Sequence, residues 1–309
     1  MRHTNSHKPT MPKTLIVILG PTGVGKTDLS IKIAQHFNTV ISSSDSRQVY
    51  REMSIGTAVP EKEQLEAVQH HFIHTHSIHD YFSSWECEQQ TIDLLSTLYK
   101  EKDEVLLVGG SMMYIDAICN GIDEIPTIDP DLRNEIVERA KNEGAESLRM
   151  QLKQLDPVFY NQVDLKNTKR VIHAVEICLM TGKPYSELRT NTRKKRDFNI
   201  IKVGLNRDRA ELYARINLRV DLMMKEGLLK EAQALFEFRH YNSLNTVGYK
   251  ELFEHLEGNI SLDEAVELIK RNSRRYAKRQ LSWFNRDKEI EWFHPDQEEE
   301  ILQYLKKQT

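Results

Sequence analysis

The chain has 309 residues, with 43 Lys and Arg against 46 Asp and Glu, for a net charge of −3. That length holds a full α/β core plus a second unit. Three widely spaced cysteines, Cys87, Cys119 and Cys178, exclude a Cys-rich zinc module and suit a reducing compartment, and no run of residues reaches membrane-spanning length.

Residues 1–12, MRHTNSHKPTMP, are polar, carry no apolar stretch for export and read as a frayed tail. From 14 to 120, short apolar runs alternate with helical patterns, as in βαβ units of a parallel sheet. Strands are predicted at 15–19, 39–42, 72–76 and 105–108, and helices at 28–37, 85–100 and 111–119. The punctuation GIDEIPTIDP at 121–130 marks a boundary. Helices follow at 131–143 and at 167–180, the second stopped by Gly182-Lys183-Pro184, with no clear strand among them. A strand at 199–205 returns to the sheet, and long helices are predicted at 209–226, 228–238 and 262–283. This order predicts an α/β fold: a P-loop NTPase-like parallel sheet with helices on both faces. The core takes 13–121 and 197–309, and 122–196 form a helical insertion.

The chemistry begins at 14–27, TLIVILGPTGVGKT, where a β-branched apolar run feeds into Gly20-x-x-x-x-Gly25-Lys26-Thr27. In a strand–loop–helix setting the glycines let backbone N–H groups turn toward phosphate oxygens. Lys26 supplies a point charge, and the Thr27 hydroxyl is placed to hold Mg²⁺. The chain therefore grips a phosphate or pyrophosphate, of ATP or of another ligand. Asp45 follows the second strand, at the crevice where α/β sheets bind ligands, and equally suits a helix N-cap. The strand at 105–108 runs into Gly109-Gly110-Ser111 with no Walker-B acid, which weakens an ATPase reading.

Arg215 and Arg219 stand four apart on one helical face, where solvation alone would account for them. The run RNSRRYAKRQLSWFNR at 271–286 interleaves cations, among them Arg274, Arg275 and Lys278, with Tyr276, Trp283 and Phe284. Such cations neutralise a nucleic-acid backbone while aromatics pack inward or stack on bases. With a second cluster, Arg193-Lys194-Lys195-Arg196, they favour a polyanionic partner. His70, His71, His74, His76 and His79 match no recognised zinc spacing and read as strand and edge residues.

The segments GPTGVGKT, SSDSRQVYREMSIGTAVP, LLVGGSMMY, VGYKEL and RRYAKRQLSWF occur in the order found in bacterial tRNA dimethylallyltransferases, and the chain resembles that family over nearly its whole length. The resemblance implies transfer of a dimethylallyl group from dimethylallyl diphosphate to the exocyclic amine of the adenosine immediately 3′ of the anticodon. By it, Gly20, Pro21, Thr22, Gly23, Val24, Gly25, Lys26 and Thr27 hold the donor's diphosphate, with Mg²⁺ on Thr27. Asp45 is the catalytic carboxylate, Ser46, Arg47 and Gln48 adjoin the target nucleotide, and Arg219 helps to hold the diphosphate. Ser111 replaces the family's usual threonine and keeps its hydroxyl, whereas Ser44 replaces a small apolar residue.

Further tRNA contacts implied by the resemblance are Arg133, the segment Lys169, Arg170, Val171, Ile172 and His173, and the segment Asn245, Thr246, Val247, Gly248, Tyr249 and Lys250. The expected partners are the tRNA anticodon stem-loop and the diphosphate donor, with no membrane, and the protein is expected to be a cytoplasmic monomer. Three rivals stay open: a P-loop kinase of a nucleoside or small metabolite, an isopentenyltransferase acting on free adenine nucleotides, and a non-catalytic RNA-binding P-loop protein.

Overall fold

The structure is a computed structural model that describes residues 13–126, 129–190 and 192–309; the tail expected at 1–12 lies outside the described residues. In chain order the elements are β1 (Thr14–Leu19), α1 (Lys26–His36), β2 (Ile41–Ser43), α2 (Lys62–Ala67), β3 (His70–His71), α3 (Ser84–Leu98), β4 (Glu104–Gly109) and α4 (Met112–Asn120). A helical run follows: α5 (Pro130–Glu143), α6 (Ala145–Leu155), α7 (Pro157–Gln162), α8 (Thr168–Thr181) and α9 (Tyr185–Leu188). The chain then forms β5 (Asn199–Leu205), α10 (Arg209–Glu226), α11 (Leu228–Ala234), α12 (Tyr249–Leu256), α13 (Leu262–Phe284), β6 (Ile290–Phe293) and α14 (Glu298–Gln308).

The six strands make one sheet in the order β3-β2-β4-β1-β5-β6, with every pairing parallel. β1 lies at its centre, with Leu19 opposite Gly109 of β4 on one side and Gly204 of β5 on the other. All six of its side chains are buried, as the unbroken apolar run requires of a strand covered on both faces. The parallel register brings the C-terminal ends of β1, β2 and β4 to one edge, so Gly20, Asp45 and Gly110 emerge together. β1 leads to β2 on one side, while β4 leads through the helical run to β5 on the other, which makes this edge a topological switch point.

The chain divides into two compact units, one running to Cys119 and resuming with Arg196–Thr309, the other Asn120–Lys195. The second packs α5 to α9 around Ile136, Leu148, Leu152, Phe159, Val171, Val175 and Ile177. In the first, Arg196 is not part of an exposed basic cluster. Its guanidinium donates to buried Glu88 at 2.7 Å and to the carbonyls of Ile118 and Ala117, which corrects the reading of 193–196 as one RNA-facing run.

The strand expected at 72–76 is also wrong. The third strand is His70–His71, and Phe72 and His74 then take φ of 62° and 54°, in the left-handed region that no strand uses. Only His76 rejoins the strand pattern, through an isolated parallel bridge to Tyr50. The helix expected at 228–238 stops at Ala234 and gives way to a 3₁₀ turn, Phe236–Phe238. The helices α2, α6, α7, α9, α12 and α14 and the edge strand β6 had no counterpart among the expected elements.

Candidate active site

The loop from Gly20 to Thr27 joins β1 to α1 and is shaped by its glycines. A Cβ on Gly20 would sit 2.6 Å from the Leu205 carbonyl oxygen, and Gly25 opens α1 with φ of 106°. Lys26 curls back, its Nζ donating to the carbonyls of Gly20 at 3.0 Å and Pro21 at 2.9 Å. Burial, and then the charge of Arg219, pull this ammonium down to about 8, with Asp45 opposing them.

Two further arginines brace the loop from outside. Arg215 Nε donates to the Gly23 carbonyl at 3.0 Å and Arg207 Nε to that of Val24 at 2.9 Å. Arg207 also pairs with Glu211 and Asp296, whereas Arg219 faces the cavities described below, its pKa lowered by burial against the pull of Asp45.

Asp45 leaves β2 and folds its own turn. Its Oδ1 accepts the backbone N–H groups of Arg47 at 2.8 Å and Gln48 at 3.2 Å, which closes a turn at the crevice; no helix follows, so the helix N-cap alternative is not what the structure holds. The turn is held on two sides. Ser111 Oγ accepts the Ser46 N–H at 2.8 Å, and Gln48 Nε2 donates to the carbonyls of Thr57 and Ala58. Ser44 lies fully buried with its Oγ unpartnered among the described residues, packed where a Cβ on Gly109 would collide with it. No structural reason for a serine there emerges.

Two cavities meet at this point. One, of about 510 Å³, is lined by Asp45, Ser46, Arg47, Ser111, residues 245–248 with Lys250, and Arg275 and Arg279 of α13. The other, of about 740 Å³, is lined by the loop residues Thr22, Gly23, Gly25, Lys26 and Thr27, by Arg215, and by apolar Ile55, Val59, Leu218 and Leu222. Thr22, Asp45, Thr57, Arg219, Met223 and Tyr276 line both and form the waist between them. Tyr276 has its phenol pushed up to about 12, chiefly by burial and then by Asp45.

The wall made by 54–56 is held by a residue with no signal in the sequence. The Glu231 carboxylate accepts the N–H groups of Ser54, Ile55 and Gly56 at 2.8–3.0 Å and the Tyr249 hydroxyl at 2.5 Å.

The side chains expected to contact tRNA differ in exposure. Tyr249 is fully buried and spent on Glu231, and Val171 is 1% exposed in the core of the helical unit, so neither side chain reaches the surface. Arg133 forms a two-pronged pair with buried Glu176, both distances 2.8 Å. On that unit Lys169 and Arg170 are exposed, while Ile172 packs partly buried against the core. His173 lies 3.8 Å from Glu176.

The trio on α13 also splits. Arg275 faces the smaller cavity, but Arg274 donates to Asn217 at 2.6 Å, and Lys278 lines a different depression with Arg207 and Tyr213. Arg279 takes the second place beside Arg275, one helical turn on, a spacing already visible in RRYAKR.

A family model described as IPP transferase matches residues 48–287. The chain is 57% identical to tRNA dimethylallyltransferase 1 of Phocaeicola vulgatus, over 96% of its own length and 98% of the relative's. Among solved structures it is similar to the full-length tRNA isopentenylpyrophosphate transferase of Bacillus halodurans, at 35% identity and a TM-score of 0.69, with 96% of each chain covered. It is also similar to a eukaryotic dimethylallyltransferase acting on tRNA, at 27% identity and a TM-score of 0.73, covering 88% of this chain and 70% of the other.

Proposed function

The chain belongs to the IPP transferase family, and on that premise we propose that it transfers a dimethylallyl group from dimethylallyl diphosphate to the exocyclic amine of the adenosine 3′ of the anticodon in tRNA. The observation that carries this reading is the waist. It places Asp45 and Arg219 between a cavity built for diphosphate and hydrocarbon and a second cavity lined by cations and backbone turns.

In the reaction the adenine amine attacks C1 of the donor, the C1–O bond breaks, and diphosphate departs as the amine gives up a proton. Negative charge grows on the departing oxygens, where Lys26, Arg219 and the loop N–H groups stabilise it. Asp45 takes the proton as the C–N bond forms. Leu218, Leu222, Met223, Ile55 and Val59 offer the isoprenoid tail an apolar wall. Arg275 and Arg279 meet the RNA backbone, and the target base leaves its stack to enter the smaller cavity.

Among the described residues no group of three or more His, Cys, Asp or Glu side chains is arranged to hold a metal ion alone. Thr27 and neighbouring Asp28, on the wall of the larger cavity, fit Mg²⁺ held jointly with diphosphate oxygens, the usual manner for this ion. Bound there, it would neutralise charge on the leaving group. No helix of the described residues is long and apolar enough to cross a membrane. We place the protein in the cytoplasm, acting as a monomer.

The test is transfer of labelled dimethylallyl diphosphate in the presence of tRNA, of AMP, or of neither, beside an ATP hydrolysis control. Label is expected on tRNA alone, with inorganic pyrophosphate competing against the donor. Label on AMP in preference to tRNA, or tRNA-stimulated ATP hydrolysis without prenyl transfer, would overturn the reading.

A further inference from the structure

Gln280 lies on α13, one turn beyond Tyr276, and is 2% exposed. Both ends of its amide are used. Oε1 accepts the backbone N–H of Thr22 at 2.9 Å, and Nε2 donates to the carbonyl of Gly110 at 2.8 Å. Both partners border the larger cavity. Thr22 lines both cavities, and Gly110 immediately precedes Ser111, whose hydroxyl holds the turn that carries Asp45. Gly110 has no room for a side chain, since a Cβ there would run into the Gln280 amide nitrogen.

We propose that Gln280 is a positioning residue for prenyl transfer. It locks the diphosphate loop and the Ser111 turn at a fixed separation and ties both to the helix whose Arg275 and Arg279 face the smaller cavity. The inference rests on the transferase reading above and adds the part that sets the distance between donor and acceptor.

The physical argument is one of reach. A nucleophile and an allylic carbon held on separate loops react only if those loops keep near-attack spacing, and an error of about 1 Å costs on the order of 100-fold in rate. Backbone pairing cannot supply this link, because β1 and β4 end at Leu19 and Gly109, before Thr22 and Ser111. A buried amide with one acceptor and one donor joins an N–H to a C=O without leaving either end unsatisfied. A carboxylate would keep the bond to Thr22 and set an oxygen against the Gly110 carbonyl.

The experiment is steady-state prenyl transfer by wild type, Gln280→Met, Gln280→Glu, Gly110→Ala and the Gly110→Ala/Gln280→Met double variant, with thermal unfolding of each. For Gln280→Met and Gly110→Ala, kcat is expected to fall roughly 10- to 100-fold, with KM for tRNA and inhibition by inorganic pyrophosphate within about twofold of wild type. Gln280→Glu should fall between wild type and Gln280→Met. Because a Cβ on Gly110 meets the Gln280 amide nitrogen first and the Gly20 carbonyl oxygen only at 3.1 Å, most of the effect of Gly110→Ala should pass through the glutamine, and the loss in the double variant should fall well short of the product of the two single losses. Should Gln280→Met fail to fold, Gly110→Ala breaks the same tie with Gln280 intact. Wild-type kcat in the single variants, losses confined to KM, or losses that multiply in the double variant would overturn the proposal. Failure of the wild type to transfer the prenyl group would instead sink the reading beneath it.

Discussion

Arginines in the two units look alike in the sequence and are used in opposite ways. In the helical unit Arg133 meets Glu176, whose side chain is fully buried, in two hydrogen bonds of 2.8 Å. Burial pushes that carboxyl up, but the bonds from His173 and Arg133 outweigh it and hold the acid below its usual range. In the sheet unit burial pulls both Lys26 and Arg219 down; the charge of Arg219 adds to the effect on Lys26 and that of Arg215 to the effect on Arg219, with Asp45 opposing both. A paired cation stabilises a fold. A cluster of desolvated cations is uncomfortable until an anion arrives, and so marks a binding site. The difference lies in whether an acid is buried opposite, which no local pattern reveals.

The comparison breaks most sharply at the waist. Asp45→Ala is expected to lower kcat by about 10²–10⁴, the range for loss of a general base, with tRNA affinity nearly unchanged. Arg219→Ala should lower it by about 10²–10³ through loss of leaving-group stabilisation. Both are read from saturation kinetics with tRNA and the diphosphate donor. A rise in KM alone for Arg219→Ala would make that residue a ground-state anchor and remove it from the chemical step.

Arg133→Ala should do the reverse. Leaving Glu176 buried without its main partner is expected to cost about 3 kcal/mol, the lower end for a broken buried pair, because Arg133 is itself half exposed. Denaturant unfolding measures this, while kcat well below the transition should stay near wild type. A helical unit as stable as before, together with weakened tRNA binding, would give Arg133 back the RNA-contacting role that the family resemblance implied.

What could be read in advance follows the same division. The P-loop, β4, β5, α10 and α13 were legible because their patterns are local: a run of buried residues in β1, a phosphate loop, long amphipathic helices. Asp45 and Ser111 were legible through motif order. Gln280 was not, although it stands inside a quoted motif, because its partner Thr22 is 258 residues away and a buried glutamine looks like a surface one until the fold closes. Glu231 was missed for the same reason, its partners at 54–56 lying more than 170 positions earlier. The strand misplaced to 72–76 shows a different failure. Its β-forming residues are real, but positive φ at Phe72 and His74 breaks the run in favour of a loop that Ser54 joins through the His74 ring at 3.2 Å.

The smallest expected effect concerns Lys26 and sharpens the contrast through pH. Burial and then the charge of Arg219 pull its ammonium down to about 8. A bound diphosphate favours that charge and raises the pKa. Below pH 8 the lysine is already protonated, so binding takes up no proton there. Above pH 8 each donor that binds must bring a proton to Lys26, and affinity should fall by up to about tenfold per pH unit. Titration of dimethylallyl diphosphate from pH 7 to 9.5, on wild type and on Lys26→Met, isolates this contribution as the difference in slope, since ionisation of the ligand is common to both. Arg133 has no such signature, because its acid is charged throughout that range. Parallel slopes would mean that Lys26 keeps its proton before the donor binds, and the two carbonyls it meets, Gly20 and Pro21, would then be holding a cation at full charge.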